Sequence, residues 1–457
     1  MRVIVCGAGH VGMGIIRYLA AEKNDIVVID ESVELIKKVE DSMDVQTVVG
    51  VPCHPESLHR AGATEAEMLV AVTPVDEVNM VACQVAHSLF HLPLKIAHLR
   101  NQAYLDPRWF DLFSTNHMPI DVVISPEVEI AKAIQRNIRL PGAFDLIPST
   151  EGEIRVIGVK CSEECPILYT PLRQLTTLFP DLNVTVIGII RNDELMIPTQ
   201  EDQMLPGDEV YFITVASQVD RVMLAFGYEE IASRHILILG AGNIGVSLAR
   251  GIEAAHPEVS VKIIEHNKER AKYISQNLSQ GVVLQGDALD VNILKEAGVQ
   301  KTETVVAVTN DTEVNVLASL LAKQNGAKRS ITLVNNPAYT SLVTSLGIDA
   351  VINPRMITIS SILQHVRRGR IRSVHSLRDG LGEVIEADVP ELSRIVGSTV
   401  GNINIPNSIF VGAIVREGLV VVPQEKTTIH AGDRLVILST QKGIGDVEKL
   451  FMTEDYF

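Results

Sequence analysis

Arg2-Val3-Ile4-Val5-Cys6-Gly7-Ala8-Gly9-His10-Val11-Gly12 decides how the rest of the chain is read. An apolar strand runs straight into G-x-G-x-x-G, and Met13-Gly14-Ile15-Ile16-Arg17-Tyr18-Leu19-Ala20 continues as a helix. Strand, glycine turn and helix in that order are what a dinucleotide-binding unit needs. Gly7 permits the tight turn, Gly9 lets backbone amides approach a pyrophosphate, and Gly12 allows close helix–strand packing. The phosphates then sit at the helix N-terminus, where unpaired N–H groups and the dipole favour an anion. The next apolar run, Ile26-Val27-Val28-Ile29, ends in Asp30, placed to accept hydrogen bonds from a ribose diol.

The stretch occurs twice. His235-Ile236-Leu237-Ile238-Leu239 leads into Gly240-Ala241-Gly242-Asn243-Ile244-Gly245, and Val261-Lys262-Ile263-Ile264 ends in Glu265. A double match of strand, glycines and acid marks an internal duplication.

The 457 residues suggest roughly three or four domains, and an apolar content of 46% supplies their cores. No run reaches the ~20 apolar residues of a membrane-spanning helix. Residues 1–6 are too short, and too soon followed by glycines, to be a signal peptide. A formal charge of −16 argues against nucleic acid, whose binding rests on neutralising phosphates. The five cysteines (Cys6, Cys53, Cys83, Cys161, Cys165) are scattered, and Cys161-x-x-x-Cys165 lacks a second ligand pair for zinc. The expectation is a soluble, cytoplasmic, reduced protein without a transmembrane segment of its own.

Along the first half, an amphipathic helix (Val33, Leu35, Ile36, Val39) precedes a strand at 47–49 ending at Gly50. A helix at 55–61, a strand at 68–72, a helix running to Phe90 and strands at 95–100 and 122–124 follow. The helix from Pro126 (Ile130, Ala133, Ile134, Ile138) is expected to close this unit. Strands alternating with helices predict a parallel, doubly wound sheet, which binds ligands at the carboxyl ends of its strands. Val51, Thr73, His98 and Arg100 lie at such ends.

At Leu140-Pro141-Gly142 the pattern changes. Short strands at 155–159, 184–190, 195–197 and 209–214, punctuated by Asn192-Asp193 and Pro206-Gly207-Asp208, form a small β-rich appendage. The second copy repeats the order. Ala307-Val308-Thr309-Asn310-Asp311-Thr312-Glu313-Val314-Asn315 matches residues 71–79, Ile352-Asn353-Pro354 matches Ile124-Ser125-Pro126, and Ala431-Gly432-Asp433 echoes Pro206-Gly207-Asp208. The predicted fold is α/β: two Rossmann-like doubly wound parallel-sheet domains, each followed by a small α+β, β-rich domain. The boundaries are 1–140, 141–228, 232–370 and 371–457.

Duplicated G-x-G-x-x-G, the strand-terminal Asp or Glu, Ala-Val-Thr-x-x-Asp/Thr-Glu-x-Asn and the Gly-Asp appendage together resemble tandem RCK (regulator of K⁺ conductance) modules. The resemblance covers essentially the whole chain. It implies a non-catalytic regulator that binds NAD(H) and ATP or ADP. It also implies a homo-oligomer, a tetrameric ring, beneath an integral membrane potassium-translocating subunit on the cytoplasmic face. Carried over residue by residue, the first site comprises Gly7, Ala8, Gly9, His10, Val11 and Gly12 for the phosphates and Asp30 for the ribose. Val51, Pro52, Thr73 and Pro74 would border base and sugar, with His98 and Arg100 nearby. The second comprises Gly240, Ala241, Gly242, Asn243, Ile244, Gly245, Glu265, Asp287, Ala288, Thr309 and Asn310. No catalytic residue and no metal ligand is implied. The chain departs from the family pattern at Val51-Pro52 and at His98, and Asn335 stands where the first half has Arg100.

That asymmetry predicts that the first half, with Arg100 and with His98 read either as a second cation or as an ordinary half-buried strand histidine, takes the more highly charged ligand, such as ATP. The second half, offering neither, would take NAD(H) or nothing. Thr73 and Thr309 also read as caps of the following helices. Glu77, Asn79, Glu313 and Asn315 sit in first helical turns and are not expected as ligands. The basic run His365-Val366-Arg367-Arg368-Gly369-Arg370-Ile371-Arg372 reads either as a cation-stabilised helix end or as a docking surface. The helices after Asp76 and Thr312 carry apolar residues on more than one face, as a symmetric assembly would require.

A function of another class, NAD-dependent oxidoreductase, needs an acid or base within reach of the nicotinamide. The modules between the fingerprints hold no clustered His/Lys/Asp set. An ATPase would need G-x-x-x-x-G-K-[ST], which is absent.

Overall fold

The computed structural model describes residues 1–21, 24–109, 111–149, 152–179, 182, 184–228, 233–336, 339–366, 371–403, 405–443, 446–447 and 450–451. Residues 229–232, where the second half is expected to begin, and 367–370, the middle of the basic run, lie outside them.

The first sheet comprises β1 (Arg2–Cys6), β2 (Asp25–Asp30), β3 (Gln46–Val49), β4 (Met68–Ala71), β5 (Leu94–His98) and β6 (Val122–Ile124). Its order is β3-β2-β1-β4-β5-β6, with parallel pairing throughout. The central strands read as continuous apolar runs because helices cover both faces. Those helices are α1 (His10–Ala21), α2 (Val33–Ser42), α3 (Pro55–Arg60) and α4 (Asp76–Phe90), followed after β6 by α5 (Pro126–Arg139).

An antiparallel module follows: β7 (Ala143–Pro148), β8 (Ile154–Lys160), α6 (Leu172–Leu178), β9 (Val184–Arg191), β10 (Glu194–Met196), β11 (Glu209–Val215) and α7 (Val219–Ala225). Its sheet order is β10-β9-β11-β8-β7. The sequence marks four of these strands; β7, directly after Leu140-Pro141-Gly142, is the fifth.

The second half repeats the plan. Strands β12 (His235–Leu239), β13 (Ser260–Glu265), β14 (Val282–Gln285), β15 (Thr304–Ala307), β16 (Arg329–Leu333) and β17 (Ala350–Ile352) order as β14-β13-β12-β15-β16-β17. The helices are α8 (Asn243–Ala255), α9 (Lys268–Ser275), α10 (Val291–Glu296), α11 (Thr312–Gln324), α12 (Thr340–Ser345) and α13 (Pro354–Val366). The last module contains β18 (Ile371–Leu377), β19 (Gly382–Asp388), β20 (Ile409–Arg416), β21 (Leu419–Val421) and β22 (Arg434–Thr440), ordered β18-β19-β22-β20-β21.

The chain forms two compact units, and they do not follow the halves. Unit 1 is Met1–Ile130 with Pro354–Val366; unit 2 is Ala131–Asn353 with Arg367–Phe457. Within unit 1, Ile359, Ile362, Leu363 and Val366 of α13 pack into one core with Ile15, Ile16 and Leu19 of α1. Gly14 makes this approach possible, since a Cβ there would lie 2.2 Å from the Ile359 side chain.

Within unit 2, the later part of α5 lies on α8, where Gln135 Nε2 donates to the Gly251 carbonyl at 3.2 Å. The buried Arg329 of β16 donates to the Asn137 carbonyl at the end of α5 (2.8 Å) and to the Ala143 carbonyl. So α5 does not simply close the first unit as the sequence suggests. Its helical period shows that one face is buried but not against what.

The two antiparallel sheets share a core in unit 2, with Ile187, Tyr211 and Ile213 against Val384, Ala413 and Leu438. Glycines at the contact keep it tight: a Cβ on Gly412 would stand 2.5 Å from Ile213 Cδ1. The repeated Gly-Asp has a defined role. Asp208 takes Arg191 side-on at 2.9 and 2.7 Å, and Asp433 takes Arg416 at 2.7 and 2.7 Å. Each acid also accepts a backbone N–H of the preceding turn, from Leu205 or His430 (both 2.8 Å).

Burial alone would raise the Asp433 carboxyl, but the Arg416 hydrogen bonds and the His430 N–H outweigh it and hold it below its ordinary value. A carboxylate lowered on folding contributes stability above its unfolded value of about 3.9 and loses it as pH falls through the lower folded value. Asp433→Asn is therefore expected to cost about 1.5–3 kcal/mol at neutral pH, a deficit that shrinks towards about pH 3. Urea denaturation of both proteins across that range measures it; a deficit independent of pH would contradict the assignment.

Candidate nucleotide sites

Each crevice begins with a glycine doing steric work. Gly7 (φ +109°) and Gly240 (φ +101°) occupy the left-handed region that only glycine adopts freely. Gly12 and Gly245 have no alternative, since a Cβ would lie 1.9 or 2.1 Å from the carbonyl oxygen of Gly7 or Gly240. Gly9 and Gly242 differ in kind: a Cβ on either would meet nothing within 4 Å. Over these middle glycines the loop is open, as a cradle for a phosphate group must be. The first turns of α1 and α8 supply the N–H groups that have no helical partner.

The strand-end acids do more than await a ribose. Asp30 accepts the Ala8 N–H on Oδ2 (2.7 Å) and the Ser32 N–H on Oδ1 (2.8 Å). Glu265 accepts the Ala241 N–H on Oε2 (2.8 Å) and the Asn267 N–H on Oε1 (2.8 Å). Each acid thus clamps the glycine loop to the start of the next helix. Each carboxylate oxygen has a second lone pair, so a diol can still be received.

The threonines are not helix caps. Thr73 N–H and Oγ1 both donate to Asn79 Oδ1 (2.9 and 2.7 Å), and Asn79 Nδ2 donates to the carbonyls of Thr73 and His98 (3.1 and 2.8 Å). Thr309 and Asn315 repeat the arrangement, with Leu333 in place of His98. The fully buried asparagines therefore tie the end of the fourth strand to that of the fifth in each sheet. The repeated Thr-x5-Asn spacing was the available signal. The N-cap of α11 is Asp311, which accepts the Val314 N–H at 2.9 Å, and α4 has no side-chain cap.

Gly50 N–H donates to the Asp30 carbonyl (2.9 Å), and half-buried Val51 and buried Pro52 follow directly in the chain. Arg60 donates to the Val49 carbonyl there. In the second half Gly286 N–H bonds the Glu265 carbonyl (3.0 Å), Ala288 is buried, and Asp287 caps its own turn through the Leu289 N–H (2.9 Å). Pro74 and Asn310 are exposed beyond the threonines.

Buried Asp76 takes the Arg100 N–H on both oxygens (3.0 Å each) and the Asn101 N–H (2.8 Å), which fixes the loop that carries the exposed Arg100. His98 corrects the sequence reading. It is 2% exposed, both ring nitrogens lack a partner, and burial followed by the nearby Arg100 lowers it to about 4, against the opposing pull of Asp76. His98 is a neutral ring at physiological pH, not a second cation. Buried polar atoms without partners carry a cost that a ligand would remove.

A second correction concerns charge in the other crevice. Arg270, four residues into the segment opened by N-cap Asn267, donates from Nε to the Ala241 carbonyl (2.6 Å) and from Nη2 to Asn243 Oδ1 (3.3 Å). The second glycine loop therefore has a cation of its own, which sequence reasoning missed because an early helical position is ordinarily solvated.

Fold and site define the class: a tandem RCK protein with two Rossmann-type crevices and two paired antiparallel modules. Profiles described as "TrkA-N domain" match residues 3–126 and 236–354, and "TrkA-C domain" matches 156–227 and 384–452. The chain belongs to the TrkA family. It is 49% identical to "Trk system potassium uptake protein TrkA" of Azorhizobium caulinodans, over 99% of this chain and 98% of that one. Its identity to the protein of the same name from Halomonas elongata is 40%, with 99% and 98% covered. Among solved structures, the GsuK RCK domain superposes with a TM-score of 0.59 at 18% identity, covering 98% of this chain and 94% of that one. "GsuK channel bound to NAD" gives 0.58 at 17%, covering 98% and 78%.

The two glycine types make opposite predictions. Gly12→Ala forces Cβ into the Gly7 carbonyl and is expected to cost at least about 2 kcal/mol of stability. Gly9→Asp is expected to stay within about 0.5 kcal/mol of the parent while filling the cradle with an anion and abolishing nucleotide binding there. Denaturant unfolding with nucleotide titration reads both; equal destabilisation by the two would contradict the geometry.

Proposed function

We propose that the chain is the regulatory subunit of a potassium uptake system, binding NAD(H) and ATP or ADP in its two crevices. It gates an integral membrane potassium-translocating subunit from the cytoplasmic face and turns over no substrate. The observation that carries this reading is the duplicated cradle, open over Gly9 and Gly242 and bounded by Asp30 and Glu265. The relatives' name, potassium uptake protein, supplies the process, and one structural neighbour is described as a channel bound to NAD.

In the first crevice the loop amides would hold phosphates, Asp30 the ribose, and Arg100 a further phosphate. In the second, Glu265 and the loop from Gly240 to Gly245 would do the same. A nucleotide gates only if its affinity differs between two conformations; tight binding alone shifts nothing. Asn79 and Asp76 join the crevice rim to α4 and to the loop after β5, so a ligand that moves the rim moves that helix. The equivalent outward positions Val81 on α4 and Leu317 on α11 are 44% and 52% exposed, suited to a symmetric neighbour in a homotetramer. Among the described residues, no helix is long and apolar enough to cross a membrane.

Calorimetric titration of the full-length protein with NADH, NAD⁺, ATP and ADP is the test. Saturable binding without consumption of any nucleotide, lost from the first crevice in Gly9→Asp, is expected. Turnover of NADH in the presence of metabolite pools, or absence of all binding, would overturn the reading.

A further inference from the structure

The two halves differ in charge at a helix position beside the phosphate loop. Ser32 and Asn267 are equivalent N-caps: Ser32 Oγ accepts the Leu35 N–H (3.3 Å) and Asn267 Oδ1 accepts the Arg270 N–H (2.9 Å). The capped residue is thus Leu35 in the first half and Arg270 in the second. Leu35 is half-buried against the core of its unit, whereas Arg270 is exposed and turns back over the loop. Its Nε and one Nη hold the Ala241 carbonyl and the Asn243 side chain. A guanidinium offers five N–H donors, so several stay available to an oxyanion on the same loop. Among the described residues these N–H groups have no other partner.

We infer that Arg270 is the specificity-determining cation of the second crevice, pairing with the diphosphate of a nucleotide seated on residues 240–245. The inference rests on the nucleotide-binding reading above and adds to it the chemical class that the second crevice prefers. The Ala241 carbonyl orients the fork, since a planar guanidinium held at Nε presents its outer N–H pair in a fixed direction. A diphosphate on the amides at the start of α8 lies beside that fork. Charge-assisted hydrogen bonds of this kind add both affinity and geometric selectivity. Asn335, uncharged where the first half has Arg100, leaves the far side of the second crevice without that cation. The second crevice therefore recognises charge next to the glycine loop and the first crevice recognises it at the end of β5.

The test uses the full-length Gly9→Asp protein, whose first crevice is filled, so that titration reports the second. NADH, ADP and uncharged adenosine are the probes, against Gly9→Asp alone and combined with Arg270→Leu or Arg270→Lys. Arg270→Leu is expected to weaken NADH and ADP at least about tenfold, to flatten their salt dependence and to leave adenosine unchanged. Arg270→Lys restores part of the loss by returning the charge without the fork. Arg270 is exposed, and unfolding curves of the variants verify that the fold is kept. If NADH and ADP bind the second crevice with the same affinity in Arg270→Leu, or adenosine weakens in step with them, this inference is overturned and the nucleotide-binding reading stands. If none of the three probes binds Gly9→Asp, the reading of the second crevice fails and the inference with it.

Discussion

A single carboxylate bridge, made twice, organises both crevices. Asp30 and Glu265 each accept one N–H from the glycine loop and one from the start of the next helix. That bridge fixes the loop against the second strand, and the loop then aims the N-terminus of α1 or α8 at the space over Gly9 or Gly242. The side chain that would read the ribose is therefore also a structural brace. Removing it, as in Asp30→Ala, combines the loss of a ligand contact with two backbone N–H groups left without their acceptor. Filling Gly9 separates those effects because it leaves the bridge intact.

The parts of the chain that were legible in the sequence are those where local chemistry has one solution. Gly7 and Gly12 are required sterically, the β1 and β12 runs are apolar because both faces are covered, and the repeated Gly-Asp marks a turn in each appendage. Such requirements show as residue identities. The placing of α13 in the first unit and of the later part of α5 in the second was not legible, because Ile134 and Ile138 record only that one helical face is buried. The role of Gly14 as the point of closest approach needs its partner, Ile359, which lies far along the chain.

At the sites themselves, the glycines, acids and threonines gathered where the pattern placed them, while charge did not. Its place at a strand end lets His98 read as a cation. Its burial makes it neutral, because desolvation penalises the charged form more than Asp76 favours it. Arg270 reaches the loop only because the Asn267 cap sets the direction of α9, a consequence of tertiary geometry rather than spacing. Arg270 puts a cation on the second glycine loop, so the halves do not differ simply by the second lacking one.

The central claim is that one chain carries two independent nucleotide crevices of common construction. Native mass spectrometry of the full-length protein with saturating NADH or ATP measures it directly. The account predicts two nucleotides per chain, one after either Gly9→Asp or Gly242→Asp, and none after both. Nucleotide retained at full occupancy in the double variant would place binding outside the glycine loops and contradict the account.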